Sequence, residues 1–275
     1  MLSVKNDSRT GRMESLSTAG RWFYAIGMAC MGIQQFIYAD FRPVFLPEWP
    51  LWLHHALWAY ISGAGLIVAG ALILFSNKVR VTALVLGGFL LLFFIAFQVP
   101  YQLFVNQYFL HLGVWGNALK ELALAGGAFV IAGTLNEASS GSKTFVIRLL
   151  EKCIPAGRIF FSITMIVFGY DHFLYTAFAA KLVPAWIPGP VFWTYFAGVA
   201  LIGSGIAIIL KIMLKQAALL LGVMIFLWFI FLHIPRAIAD PHIEKGNEVT
   251  SVFQALAFSG IAFVIAGTAA KRNQS

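Results

Sequence analysis

The stretch GRIFFSITMIVFGYDHFLY, residues 157–175, decides how the chain can fold. It is almost long enough to cross the hydrocarbon core of a bilayer, which takes roughly 20 apolar residues in an α-helix. Two ionisable residues, Asp171 and His172, stand near its end. An ionisable side chain inside a membrane needs a partner or a water-filled cavity, so the stretch predicts a spanning helix and a polar site on it.

The remainder of the chain has the same apolar character. Hydrophobic residues make up 60% of the 275 residues, charged residues make up 11%, and the mean hydropathy is +0.83. These values predict an all-α integral membrane protein rather than a soluble domain. Eight continuous apolar segments are predicted to be transmembrane helices, at residues 21–38, 56–76, 81–99, 117–135, 157–176, 191–210, 214–234 and 250–269.

The net charge of +8 is explained by topology. If the N-terminus is cytoplasmic, most Lys and Arg residues fall on the inner side of the membrane, as the positive-inside rule requires. We therefore expect a multi-pass protein of the bacterial cytoplasmic (inner) membrane, with both termini cytoplasmic and the lipid bilayer rather than nucleic acid as its partner. The first twenty residues lack the apolar core of a cleavable signal peptide, so the first span is expected to direct insertion.

The sequence repeats itself. AFVIAGT at 128–134 recurs at 262–268, and GRWFYAIGMACMGIQQFIY from residue 20 aligns with the opening stretch. Repeated anchors in the same order predict a tandem duplication of a four-helix bundle, with two parallel repeats because each unit has four spans. The predicted boundaries are a cytoplasmic segment 1–20, a first unit 21–135, a cytoplasmic linker 136–156, a second unit 157–269 and a cytoplasmic tail 270–275.

The duplication gives an internal comparison for the ionisable residues. Asp171, His172 and His233 of the second unit align with Gln34, Gln35 and Gln98 of the first unit. Glutamine forms hydrogen bonds but does not exchange a proton near neutral pH, so any proton chemistry is expected in the second unit. Residues 171 and 172 are adjacent in a helix and point about 100° apart, which predicts that they do not face one target.

Several interpretations of this polar cluster remain open. Asp171, His233 and Arg236 could form a hydrogen-bonded plug that positions the helix ends. The same residues could form a proton-linked site for a quinone or another small molecule. A haem or metal held between His172 and His233 is disfavoured, because their spacing is not a ligand motif and no haem-attachment sequence is present. The cofactor is therefore left open, with a quinone as the favoured candidate.

Other residues complete the predicted site. Catalytic candidates are Asp171, His172 and His233. Candidates for substrate binding are Trp186, Trp193, Arg236 and Glu248, which follow or open the outer helix ends. Structural roles at the inner interface are expected for the two arginines that follow glycine at the start of each unit, Arg21 and Arg158. No nucleotide-binding, serine-hydrolase or zinc-protease motif is present.

The second unit resembles the DoxX family of bacterial four-helix membrane proteins. The resemblance lies in its opening Gly-Arg, the His-Phe near the outer end of its first helix and the following LVPAWIPGP. The first unit is similar, with Gln35-Phe36 in place of the His-Phe, so the whole chain resembles two fused copies. Members of the family are similar to a subunit of a thiosulfate:quinone oxidoreductase. By that resemblance, Arg158, His172 and Trp186 map onto family motif positions.

Two functions follow as predictions. The first is an accessory protein of a membrane redox system that is linked to quinones and pairs with redox subunits. In it, His172 or His233 accepts a proton from a quinol and Asp171 relays it. The second is a non-catalytic carrier or scaffold for a lipophilic small molecule, with a purely structural polar cluster. Whether the chain is itself an enzyme is left open by its residues.

Overall fold

The computed structural model describes residues 2–50, 54–135 and 144–272. The regular secondary structure in these ranges is helical, as the continuous apolar segments predicted. The α-helices are α1 (Leu2–Tyr38), α2 (His55–Phe75), α3 (Val79–Phe93), α4 (Gly116–Gly133), α5 (Phe145–Glu151), α6 (Ile154–Leu174), α7 (Thr176–Leu182), α8 (Pro190–Leu210), α9 (Leu214–Trp228), α10 (Ile234–Ala239) and α11 (Asn247–Arg272). Parts of the predicted linker 136–156 and tail 270–275 lie outside the described residues.

Within the described ranges, five helical segments are long and apolar enough to cross a membrane: His55–Phe75, Val79–Val105, Pro190–Leu210, Leu214–Ala239 and Ile243–Ala269. A sixth is added if α5 and α6, which meet at a 48° bend, are counted as one span. The chain is therefore a multi-pass membrane protein. The predicted spans 21–38 and 117–135 are helical but less apolar, because they carry the two adjacent glutamines and the Lys120-Glu121 pair.

Two helices change their winding at matched places. A π-helical turn, Phe94–Gln98, follows α3, and another, Phe229–His233, follows α9. The repeat alignment pairs these two turns, and each ends on a residue of the predicted polar cluster. A π turn inserts one extra residue into the helix, which changes the direction of the side chains after it and often occurs at functional sites.

The helices do not close into two separate four-helix bundles. The last helix of the first half, α4, packs along α6 of the second half, and α11 packs along α1. Each last helix therefore packs against both halves, α4 against α3 and α6, and α11 against α9 and α1. We call this arrangement the helix exchange, and α4 and α11 meet within it. The predicted boundaries of the two units, 21–135 and 157–269, stay a prediction, and the sequence left open how the units pack together.

Glycines allow close approach of the helix backbones where α4 crosses α6 and where α11 crosses α1. A Cβ on Gly126 would lie 2.5 Å from the carbonyl oxygen of Gly157, and one on Gly260 would lie 2.4 Å from that of Gly20. The repeat alignment pairs Gly126 with Gly260 and Gly157 with Gly20, so the same helix crossing occurs twice. Small residues allow helix backbones to approach this closely in membranes.

The segments that follow the first helix of each half differ in burial. After α1, the chain turns inward and buries Phe41, Val44, Phe45 and Leu46. After α6, it forms α7 and a proline-containing turn whose side chains are largely exposed, with Trp186 at 68% exposure. The first half is therefore filled by its own connecting segment, whereas the second half is not.

Candidate functional site

The second half contains a cavity of about 1050 Å³. It lies among α6, α8, α9 and α11, and most of its lining is aliphatic or aromatic. Phe196 and Leu220 line it while keeping 50% and 68% of their surface exposed. The cavity therefore opens through the gap between α8 and α9, toward the apolar perimeter of the protein.

The ionisable lining residues lie toward one end of the cavity, where α6 ends and α4 begins. They are Lys120, Asp171, His172 and His233. Asp171 and His172 both line the cavity, and the prediction that they do not face one target within it stays a prediction. The cavity is wide enough for side chains that leave α6 in different directions to reach its wall.

His172 is held in a defined orientation. Its Nδ1 lies 2.6 Å from the carbonyl oxygen of Phe168, one turn earlier in α6, so Nδ1 carries the donated proton and Nε2 is left as the acceptor. The imidazole stacks on Trp228 of α9, with 6.2 Å between ring centroids and 21° between planes. Both residues line the cavity, and an aromatic ring face can stack on a planar ligand.

Two other polar atoms at this cavity lack a hydrogen-bond partner in the described residues. They are Oδ1 of Asp171 and Nδ1 of His233, and both are buried. A buried polar atom without a partner costs roughly 1–3 kcal/mol. A ligand in the cavity could supply the missing partner.

Lys120 is a site residue that the sequence analysis missed. It lies in α4, which belongs to the first half by sequence, and it reaches the second-half cavity because α4 packs along α6. It lies within electrostatic range of His233 and of Glu248. Its repeat counterpart is Gln254, which lines the same cavity, but only the helix exchange brings the two residues together.

The four predicted substrate-binding residues are placed differently. Trp193 lines the cavity, and its Nε1 donates to the carbonyl of Pro188. Trp186 does not line the cavity and packs edge-on against Phe231. Arg236 and Glu248 form an ion pair with each other and do not line the cavity.

The ion pair joins Arg236 to Glu248 rather than to the other residues of the predicted plug. Arg236 Nη2 donates to Oε1 of Glu248, and Oδ1 of Asp171 remains without a partner. A hydrogen-bonded plug of Asp171, His233 and Arg236 is therefore not formed in the described structure. Arg21 lies in the middle of α1 and Arg158 near the start of α6, and neither residue lines the cavity.

The glutamines at the matched positions of the first half do have partners. Gln34 donates to the carbonyl of Gly246, and Gln98 donates to the carbonyls of Pro43 and Val44. Gln35 accepts from Ser62 through its Oε1, although its Nε2 has no partner in the described residues. Gln98 therefore fixes the buried segment after α1, where His233 instead faces a cavity. The repeat counterpart of Ser62 is Ala197, which cannot donate a hydrogen bond to His172.

Buried ionisable residues also occur in the first half. Arg42 is 1% exposed, donates to the carbonyl of Lys245 and lies 4.6 Å from the ring centre of Tyr38. Burial lowers the pKa of this guanidinium below its usual value. Glu121 is fully buried, and neither carboxyl oxygen has a partner in the described residues. Its repeat counterpart is Ala255, a cavity-lining residue.

No group of three metal-binding side chains comes together in the described residues. The arrangement as a whole defines a multi-pass helical membrane protein with one apolar cavity, open at its side and polar at one end. Residues 154–234, which run from the start of α6 through the π turn, match the DoxX family. This matched region carries three of the four ionisable cavity residues, Asp171, His172 and His233. No curated protein and no solved structure matches the chain.

Proposed function

We propose that this DoxX-family protein binds a lipophilic molecule with a planar ring, of the quinone class, in the second-half cavity. It would act there as an accessory of a membrane redox system. The observation that carries the proposal is the pair of unpartnered polar atoms, Asp171 Oδ1 and His233 Nδ1, in an otherwise apolar cavity. The stacked rings of His172 and Trp228 supply a surface for a planar head group.

The chemistry proposed for the site is proton exchange with a quinol. Oxidation of a quinol to a quinone releases two protons and two electrons. Each of the two protons passes from a ring hydroxyl to His233 Nδ1 or His172 Nε2, and Asp171 then passes it toward the outer surface. The electrons pass to a redox partner subunit, because no electron carrier is proposed within this chain.

The topology is part of the proposal. We infer eight transmembrane helices, formed by two fused DoxX-like units at 21–135 and 157–269, in the bacterial inner membrane with both termini cytoplasmic. The paired glycine crossings and the paired π turns support a duplicated unit. In this view the first unit has become a filled structural copy, and the second has kept an open site.

A second function, that of a carrier or scaffold, is favoured by one observation. The cavity opens sideways between α8 and α9, where Phe196 and Leu220 are half or more exposed. A lipophilic molecule could enter and leave through this gap from the bilayer without any chemical step. In that case Asp171, His172 and His233 would only bind the head group.

The first experiment is to purify the full chain in mild detergent and to identify bound molecules by mass spectrometry and visible absorption. We expect a quinone in the wild type and its loss in His172→Gln/His233→Gln, which imitates the first half. His242→Gln is the matched control, because His242 is exposed and does not line the cavity. A quinone kept by the folded double variant would contradict the proposed site.

A second experiment separates the two functions. In membranes supplied with quinol and an artificial electron acceptor, Asp171→Asn and His233→Gln should slow quinol oxidation by about 10²–10⁴-fold if these groups transfer protons. Asp240→Asn, which changes an exposed carboxylate outside the cavity, serves as the control. Unchanged quinone binding with no oxidation in any variant or in the wild type would favour the carrier.

A further inference from the structure

Lys120 brings a positive charge to the cavity without a partner for it in the described residues. It is partly buried, it lines the cavity, and in the described part of the chain its ammonium has no hydrogen bond or ion pair. A charged group surrounded by apolar side chains is costly unless a counter-charge or a strong acceptor meets it. The residue therefore needs either a protein partner or a ligand.

The nearby carboxylates do not fill this role. Glu248 lies within electrostatic range of Lys120, but its carboxylate is already bound to Arg236. Asp171 lines the same cavity, yet no ion pair joins it to Lys120 in the described residues. The other polar residues of the lining, which include His172, His233, Ser251 and Gln254, carry no carboxylate.

We propose that Lys120 makes this cavity a binding site for amphiphiles with an anionic oxygen group, of which a long-chain carboxylate is the simplest. The carboxylate accepts from the Lys120 ammonium. The apolar tail lies along the aliphatic lining and leaves between α8 and α9, beside Leu220 and Phe196. The proposal shares the cavity with the proposed function but requires neither a quinone nor a redox step.

The test compares a fluorescent long-chain fatty acid with its methyl ester on the full chain in detergent or nanodiscs. The ester keeps the tail and removes the charge. Hydrogen bonds to charged groups contribute roughly 1.5–3 kcal/mol, so the acid should bind about tenfold or more tightly than the ester. An acid-to-ester ratio near one in the wild type overturns the proposal without any variant.

Variants then locate the preference. Lys120→Gln, which installs the residue of the matched position 254, should bring the ratio close to one, and Lys120→Arg should keep the preference. Lys181→Gln is the control, because Lys181 is exposed and does not line the cavity. A preference that persists in folded Lys120→Gln overturns the role of Lys120.

The two proposals fail separately. His172→Gln/His233→Gln should lose a bound quinone and keep the preference for the acid. Absence of quinone from the wild type, together with a Lys120-dependent preference for the acid, would refute the proposed function alone. A bound quinone with no preference for the acid would refute the present inference alone.

Discussion

Gly126 gives the sharpest test of the helix exchange. In Gly126→Ala the new methyl carbon would lie 2.5 Å from the carbonyl oxygen of Gly157, whereas such carbon–oxygen contacts are normally about 3.3–3.6 Å. The backbones of α4 and α6 must therefore separate by close to 1 Å. Overpacking costs about 1–3 kcal/mol, and helix propensity returns up to about 1 kcal/mol. With the full propensity gain, we expect a net loss of up to about 2 kcal/mol.

The control is Gly65→Ala in α2. A Cβ at Gly65 meets no atom within 4 Å, so this variant gains helix propensity without a clash. Because the propensity gain is the same in both, the two variants should differ by the overpacking cost of about 1–3 kcal/mol, or roughly 2–12 °C in the midpoint of thermal unfolding in detergent. Gly260→Ala should match Gly126→Ala because its Cβ would lie 2.4 Å from the oxygen of Gly20. Midpoints of Gly126→Ala and Gly65→Ala within a degree of each other would refute the exchanged packing.

Three further changes test individual contacts by the same unfolding assay. Tyr24→Phe removes the 2.8 Å hydrogen bond from its hydroxyl to the carbonyl of Leu124 and should cost about 1 kcal/mol, so an unchanged midpoint would argue against this contact. Glu121→Gln should leave stability unchanged or raised, since neither carboxyl oxygen has a partner in the described residues and an amide removes the buried acid; a clear loss would reveal a bound cation. The hydrogen bond from Lys245 to Asp40 raises the pKa of this ammonium and contributes at most about 1 kcal/mol to stability. This contribution is present below the unfolded-state pKa of about 10.4 and is lost only as pH rises through the higher folded-state pKa. Lys245→Gln should therefore lower the midpoint equally at pH 7 and pH 9.

The sequence predicted the helix boundaries well where an apolar segment ends at a residue that starts or stops a helix, such as proline. The predicted span 191–210 corresponds to α8, which begins at Pro190, because proline favours the first turn of a helix and limits the residue before it. The predicted span 56–76 corresponds to α2 within one residue at either end. The DoxX resemblance of the second unit is confirmed over residues 154–234. The number of spans and the positions of the termini remain predictions.

The sequence did not predict which helices become neighbours. Hydropathy indicates how deeply a residue lies, but two arrangements of the same eight segments can bury the same apolar faces. The matched glycines at 20, 126, 157 and 260 were visible as small residues, yet nothing in their spacing specified that each pair joins different halves. For this reason Lys120 was assigned to the first unit, although its side chain lines the cavity of the second.

Asp171, His172 and His233 could be selected from the sequence because they contrast with glutamines at matched positions. The presence of a cavity could not, because it depends on how two similar connecting segments pack. One buries Phe41 and Phe45 in the first half, and the other leaves Trp186 exposed. Volume of this kind is set by tertiary packing rather than by periodicity.

The pairing of α1 with α11 has a consequence for biogenesis. Residue 20 of the chain emerges from the ribosome long before residue 260, its contact across the helix crossing. At translation rates of about 5–20 residues per second, the delay is roughly 10–50 s. During this interval the glycine-containing face of α1 must be covered by lipid or by an insertion factor. Because α11 is the last helix to be synthesised, C-terminal truncation is expected to leave α1 without its main packing partner.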